Sequence, residues 1–553
     1  MFQIFRSTVC AVALLVAGTS FARPLSVEEK IRDLDQLVSM IKSGYGPLEY
    51  KKTKFGIDVE RLSADYYLKL RATTTNLEFY YLLGAFIAEF KDSHFGGRIP
   101  TDYASKLGFT VDLVEGKVLI DEIDREKLPE AEFPYKKGDE LVKVDGKPVQ
   151  DLIEYLSKYI GMGYDATTKR IAAMTIANRR GSRVPVPTGA VSLEIVNDAG
   201  ISSVKASKWF NSGTELENDT VIAVNELIAE ENELEALAFN PNRFKLSTVQ
   251  NLSDFIDGMG TEYSFQCSGD TRTVIPSDAT IIIEKPFVAY YHPMPGHPET
   301  NIGYLRIPHY SPDMEDDSPN AYEIRFAQYQ FAVSELEKHT DGLIIDQDHN
   351  CGGSVIYLEE MVGLFAHDTY HQIQFELLAT KNEYLDFSNW LSSAPEHTLD
   401  HVYLKQTVDL IKDTWLNGRG FLTTKTGLMG NKVYRPNEVR YTKPILMLID
   451  EMSGSGGDAF PSVMKGIGRA KLMGQRTMGA GGHVTEQPLL NYSGLNVHMT
   501  KSLFYRPDGV PVENNGAEPD FLYAPTKADF VGKYADYQKV YLNKIFEMVT
   551  SAR

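Results

Sequence analysis

The spacing of apolar residues changes along the chain, and each change marks a different kind of architecture. In residues 26–95 they fall three and four apart. Ile31, Leu34, Leu37, Val38 and Ile41 share one face of a helix that Ser26 caps, with Glu28 and Glu29 in its first turn. Residues 77–90 predict a second, more apolar helix that delivers Ser93 and His94 at its C-terminal end. From about 104 to 208 the pattern turns to short strands and turns. Residues 209–290 are harder to place: 220–238 read as an acidic helix, Asn240-Pro241-Asn242 breaks it, and 247–259 read as another helix. An inserted cap or lid and a charge-rich solvated face both fit that stretch. From Thr300 onward, short apolar runs alternate with helical segments: strands at 302–307, 343–346 and 445–449, helices at 321–339, 354–365 and from 458. Such alternation predicts an α/β core. Residues 375–425, with Trp390 and Trp415, read as an excursion bordering a substrate groove.

The first 22 residues read as a secretory leader. Arg6 gives a positive start, residues 9–17 are apolar but too short to span a bilayer, and Ser20-Phe21-Ala22 offers a small-x-small cleavage site. Export with cleavage near Ala22 is expected, with the bacterial periplasm as destination. No cysteine follows the site, which argues against a lipoprotein, and no later run predicts a transmembrane helix. The 553 residues imply several domains. A net charge of -19 argues against nucleic acid, which recruits clustered Lys and Arg. Beyond Cys10 in the leader stand Cys267 and Cys351. Their pairing cannot be read from two positions, so a free structural thiol at Cys351 is the default. No Cys/His cluster has zinc spacing, so no metal and no cofactor are expected. Nothing in the pattern fixes an oligomeric state.

Candidate chemistry concentrates in three places. Residues 446–461 run from an apolar strand through Asp450-Glu451 into Ser453-Gly454-Ser455-Gly456-Gly457 and then a helix. A serine at a strand-to-helix turn has backbone N–H groups beside it, as an acyl-transfer oxyanion requires. On this stretch alone, a nucleophile and a simple helix cap stand level. Residues 341–353 form another buried strand that opens into Asn350-Cys351-Gly352-Gly353, a second loop of backbone donors. The third place is Asp92-Ser93-His94. A lone histidine is more often structural than catalytic, and a lone glutamate such as Glu513 is more often a surface or turn group.

Together these stretches resemble the S41 serine peptidases, the carboxy-terminal processing and tricorn-core group. The family's nucleophile lies three residues before an acid, which selects Ser455, with Asp458 as the acid, over Ser453. Asn350 to Gly353 matches its second oxyanion element. The processing branch uses a lysine base after the nucleophile, but Ala480 stands there in Gly474-Gln475-Arg476-Thr477-Met478-Gly479-Ala480. The tricorn-like branch uses a Ser-His pair and a late glutamate, matched by Ser93-His94 and by Glu513 in Glu513-Asn514-Asn515-Gly516. One departure is Gly456, where tricorn-like enzymes carry aspartate.

The resemblance implies Ser455 as nucleophile and His94 as general base. Ser93, held by Glu513, would orient His94, and the N–H groups of Gly456 and of Gly352 or Gly353 would form the oxyanion hole. Leu107-Gly108-Phe109 and the segment 137–149 resemble the carboxylate-binding loop and hairpin of PDZ domains. Capture of a peptide tail and a purely packing role both fit them.

The expected protein is an α/β multidomain chain: leader 1–22, helical segment 23–103, PDZ-like β-rich domain 104–208, insertion or lid 209–290, and crotonase-like α/β catalytic core 291–545. Its expected function is that of an exported serine peptidase acting on proteins or peptides. Two alternatives are an inactive PDZ-containing peptide-binding protein and another acyl-transfer enzyme on the same core. The second would want a basic clamp for an acyl carrier, and none is evident.

Overall fold

The computed structural model describes residues 23–215 and 267–552, apart from positions 100, 315, 317 and 319. The leader and the helices expected at 220–238 and 247–259 lie outside the described residues.

Four helices open the chain: Val27–Gly44, Leu48–Phe55, Val59–Leu70 and Asn76–Ala88. The first starts where Ser26 and Glu29 close a reciprocal cap, the Ser26 hydroxyl accepting the Glu29 N–H at 3.2 Å and the Glu29 carboxylate accepting the Ser26 N–H at 2.8 Å. Leu34, Leu37 and Ile41 bury their stripe against Phe79, Phe86 and Phe90, in a cluster completed by Leu490, Leu495, Val497 and Met499 from far downstream. The strand Gly96–Arg98 pairs antiparallel with Asn496–Thr500. Asp33 accepts the N–H groups of Tyr492 and Ser493 at 2.9 and 2.6 Å. The helical segment is therefore packed against the core and brings the turn carrying His94 to it.

A six-stranded antiparallel sheet follows, in the order Phe109–Val114, Lys117–Ile123, Glu140–Val144, Ala190–Val196, Ser202–Lys208, with Lys147–Pro148 paired to the third. Asp145 and Gly146 (φ +50° and +75°) make the two-residue hairpin turn that Asp-Gly favours. Two helices, Val149–Ser157 and Asp165–Ala177, interrupt the short strands expected here. The second buries Arg170, Ile171, Ala172, Ala173, Thr175 and Ile176, and so presents no clean polar-apolar period to the eye. The apolar core of this module takes in Met452, Met478 and Ala480 from the catalytic core, so the two share one interior.

The core is a seven-stranded sheet in the order Thr280–Ile283, Ala289–Met294, His297–Arg306, Gly342–Asp346, Ile445–Ile449, Ala470–Gly474, Phe521–Leu522. Its pairings are parallel from the third strand onward. Helices Ala321–His339, Val355–Val362 and Gly456–Gly466 contribute to the cluster on one face, and Ala535–Ala552 covers the other. The excursion holds helices Lys381–Ser393 and Leu399–Leu416, and is tied back by Gln374–Leu377 pairing with Ser502–Tyr505. No described helix is long and apolar enough to cross a membrane. Cys267 and Cys351 form a disulfide with Cα atoms 5.6 Å apart, which corrects the expectation of a free thiol. Their 84-residue separation hid the pairing from sequence.

Candidate active site

The strand Ile445–Ile449 is buried at every position and leads through a tight turn into the helix Gly456–Gly466, whose N-cap is Ser455. Ser455 is held at φ +60°, ψ -112°, a backbone arrangement that costs a non-glycine residue about 1–3 kcal/mol. Asp458, fully buried, over-determines it. The Asp458 carboxylate accepts N–H groups from Ser455 at 2.8 Å, Gly479 at 2.8 Å and Ala480 at 2.9 Å, together with the Thr477 hydroxyl. Burial pushes this carboxyl up to about 6, and its four donors pull the other way. With Asp458 bonded to the backbone, the Ser455 hydroxyl has no partner among the described residues. Ser453 is spent differently: its hydroxyl donates to the Gln347 carbonyl at 2.7 Å and to Asp450 at 3.0 Å, fastening the turn.

The 350–353 loop packs directly on this turn. The Gly454 N–H donates to the Asn350 carbonyl at 2.9 Å, and the Asn350 side chain accepts the Gly352 N–H at 2.8 Å. Gly352 (φ +80°) lies so close that an added Cβ would meet Ser455 Cβ at 2.7 Å. Of the two glycines expected as donors, Gly352 has its N–H engaged. Among the described residues, no acceptor takes the N–H of Gly353 or of Gly456.

His94 comes from the other end of the chain. Its N–H donates to Asp92 at 2.8 Å, and Asp92 in turn accepts the hydroxyls of Tyr45 at 2.7 Å and Thr500 at 2.9 Å. Neither ring nitrogen of His94 makes a hydrogen bond of ordinary geometry, although the Gly482 backbone lies near enough to favour the protonated ring. Burial drives the imidazole down to about 4; Lys51 and His483 add to the fall and Asp92 opposes it. His94 is 2% exposed and Ser455 0%, and the two are not hydrogen-bonded to each other in this conformation.

One segment links these parts. Thr477, Gly479 and Ala480 hold Asp458, the Gly481 N–H donates to Glu513 at 2.8 Å, and Gly482 borders His94. Glu513 does not hold Ser93 as expected. Its carboxylate is taken by Lys51 and Gly481, while Ser93 accepts the Gly163 N–H at 3.0 Å. Burial and the charge of Asp92 push Glu513 up to about 8, against the pull of Lys51. Lys51 was not legible as a site residue, because Lys51-Lys52 followed by Lys54 reads as a solvated face.

Leu107 and Phe109 are buried in the module's own core, with Phe109 stacked on Phe133. Gly108 (φ +80°) is enclosed by Leu128 and Phe210. The following strand, Phe109–Val114, is an edge strand of its sheet. Its Asp112 receives a two-pronged bond from Arg170 at 2.8 and 2.7 Å. Arg170 continues to Glu451 at 3.0 Å, and the Thr167 hydroxyl donates to the Glu451 carbonyl at 2.6 Å. The module is thus bolted to the turn that carries Ser455. Among the described residues, no cluster of three or more His, Cys, Asp or Glu is arranged to hold a metal ion.

Residues 301–523 match Peptidase family S41, and residues 103–212 match a PDZ domain. A protein of Chlamydia trachomatis serovar D is 27% identical over 574 residues, covering 95% of this chain and 93% of its own length. The tricorn protease of Thermoplasma acidophilum is 31% identical over 132 residues, 21% of this chain and 12% of its own. The solved structure of mature CPAF complexed with lactacystin superposes with a TM-score of 0.77 at 25% identity, covering 95% of this chain and 99% of that one. Residues 301–523 thus form a peptidase family S41 core with a PDZ domain ahead of it, and the chain is a serine peptidase.

Proposed function

We propose that this peptidase cleaves peptide bonds through an acyl-enzyme on Ser455, with His94 as general base. The observation that carries the proposal is the strained Ser455, whose hydroxyl has no partner among the described residues while Asp458 and Ser453 beside it are both engaged. In the competent state, Ser455 Oγ attacks the scissile carbonyl as His94 accepts its proton. The oxyanion is met by the N–H groups of Gly456 and Gly353. Collapse expels the amine, which takes the proton back from His94. Water then attacks the ester, His94 again accepting a proton, and the acid product leaves with Ser455 restored. Because both side chains are buried here, the helical segment and the core must shift for substrate to enter and for His94 to reach hydrogen-bond distance of Ser455.

Export to an oxidising compartment is part of the proposal. The leader pattern suggests it, and the Cys267–Cys351 disulfide, with one half in the donor loop, supports it. An N-terminus at Arg23 in periplasmic protein is the expected sign, and an uncleaved cytoplasmic form would refute it.

The mechanism is tested by the pH dependence of kcat/KM on a short peptide. His94 is active as a base only when neutral, so activity should be lost on acidification, with the limb near pH 4 rather than the ordinary 6.5. Because burial lowers its folded value, His94 also makes the fold less stable as pH falls from 6.5 toward 4. A rate governed only by an alkaline group would contradict His94 as the base. A second arm of this assay adds a protein with a free C-terminal tail. If the edge strand after Gly108 receives tails, the tailed substrate should be cleaved with lower KM than its amidated counterpart. Equal KM values would leave the module a brace for the Ser455 turn.

A further inference from the structure

Lys51 lies on the helix Leu48–Phe55 and is fully buried beside Glu513, also fully buried. Its ammonium donates to Glu513, to the Asn514 side-chain oxygen at 2.7 Å and to the Lys91 carbonyl at 2.9 Å. Three N–H groups meet three acceptors, so the cation is saturated without water. The acceptors come from two segments far apart in sequence: Lys91 (φ +50°) opens the turn to His94, and Glu513-Asn514 belong to the core. The Asn514 amide closes the ring by donating to the same Lys91 carbonyl at 2.7 Å and to the Gly163 carbonyl at 3.1 Å. The Gly163 N–H holds Ser93, and Gly481, bonded to the free oxygen of Glu513, precedes the Gly482 that borders His94.

We infer that Lys51 is a positioning residue of this peptidase, fixing Glu513 and the Lys91–His94 turn against each other and so setting where the His94 imidazole stands. This rests on the Ser455–His94 reading given above. A fully buried ion pair is a poor device for stability alone, since desolvating two charges offsets their attraction. Its convergence on the turn of a catalytic base is what a positioning role requires. The charged and titratable groups facing His94 are Asp92, Lys51, His483 and His498; those facing Glu513 are Asp92, Lys51, Lys54, Tyr45 and Tyr50. Lys51 and His483 disfavour the His94 cation and Asp92 favours it, so removing Lys51 moves the acid limb of activity to higher pH.

The experiment compares wild type, Lys51→Met, Glu513→Gln and the double variant Lys51→Met/Glu513→Gln. It measures short-peptide turnover, Ser455 labelling by a phosphonate and thermal melting. A folded Lys51→Met is expected to lose at least ~30-fold in kcat with KM within about threefold, as a misplaced catalytic group does. Its acid limb should move to higher pH. Because Lys51 also bonds the Lys91 carbonyl directly, the double variant should be slower than Glu513→Gln alone. A folded Lys51→Met with wild-type kcat and an unmoved limb overturns the inference. The double variant leaves neither carboxylate nor ammonium unpaired, so it decides the matter if Lys51→Met does not fold. A further fall of tenfold or more relative to Glu513→Gln, roughly 1.4 kcal/mol, then supports the inference, and equal rates in the two overturn it. Wild type that neither turns over peptide nor takes the label overturns the Ser455–His94 reading itself, and the inference with it.

Discussion

Peptide hydrolysis is expected to vanish in Ser455→Ala and to survive in Ser453→Ala. The two serines are separated by one glycine, yet the fold treats them oppositely. Among the described residues, Ser455 has a hydroxyl without a partner at a strained helix cap, beside N–H groups that no acceptor takes. Removing a nucleophile that works with a base as one unit costs roughly 10⁴–10⁶ in kcat. Ser453 spends its hydroxyl on Gln347 and Asp450, which also accept the N–H groups of Asn350 and His349, so its loss should lower stability by about 0.5–1.5 kcal/mol. Its rate, measured below its lowered melting temperature, should stay within about tenfold of wild type, since no transition-state contact is removed. Comparable loss in both variants would show that the turn, and not Ser455 Oγ, governs the reaction.

The second large effect is expected at Gly352. Alanine there would place its Cβ 2.7 Å from Ser455 Cβ and 2.9 Å from the Gly454 carbonyl and the Gly456 nitrogen. A left-handed φ of +80° adds about 1–2 kcal/mol of strain for any residue with a Cβ. The clash is with Ser455 Cβ and with backbone, neither of which can swing away as the end of a flexible side chain would. Either Ser455 moves or the donor loop does, and losing one oxyanion donor typically costs about 10²–10³ in turnover. Gly352→Ala should therefore lose at least ~10²-fold in kcat with KM changed little. Gly116→Ala is the control: Gly116 has a similar φ of +75° but open space around it, so only the strain remains and activity should persist. Matching turnover in the two variants would mean that Gly352 does not register the nucleophile.

Some of this could be read from the chain because it is local. The parallel strands announce themselves as unbroken apolar runs, since both faces are covered, and Gly342–Asp346 and Ile445–Ile449 fall where such runs place them. Ser26 and Glu29 cap a helix three residues apart, and the motif spacing singles out Ser455 because Asp458 must reach back one helical turn. The helix Asp165–Ala177 was missed because contact with both a sheet and a second domain erases its polar face. The partner of Glu513 was missed because it is non-local: Lys51 lies 462 residues away and looks like one of a solvated basic run. Likewise, nothing near Gly352 says that Asn350 consumes its N–H, so that of the two glycines only Gly353 has an N–H without an acceptor among the described residues.

The central claim is that Ser455 is the nucleophile and His94 its base. The most direct measurement is reaction of the purified protein with a serine-directed phosphonate, followed by digestion and mass mapping, in wild type and in His94→Gln. A single adduct is expected, on Ser455, with labelling at least ~10²-fold slower in a folded His94→Gln, the scale of general-base assistance. An adduct on Ser453 or elsewhere, or labelling equally fast without His94, would contradict it.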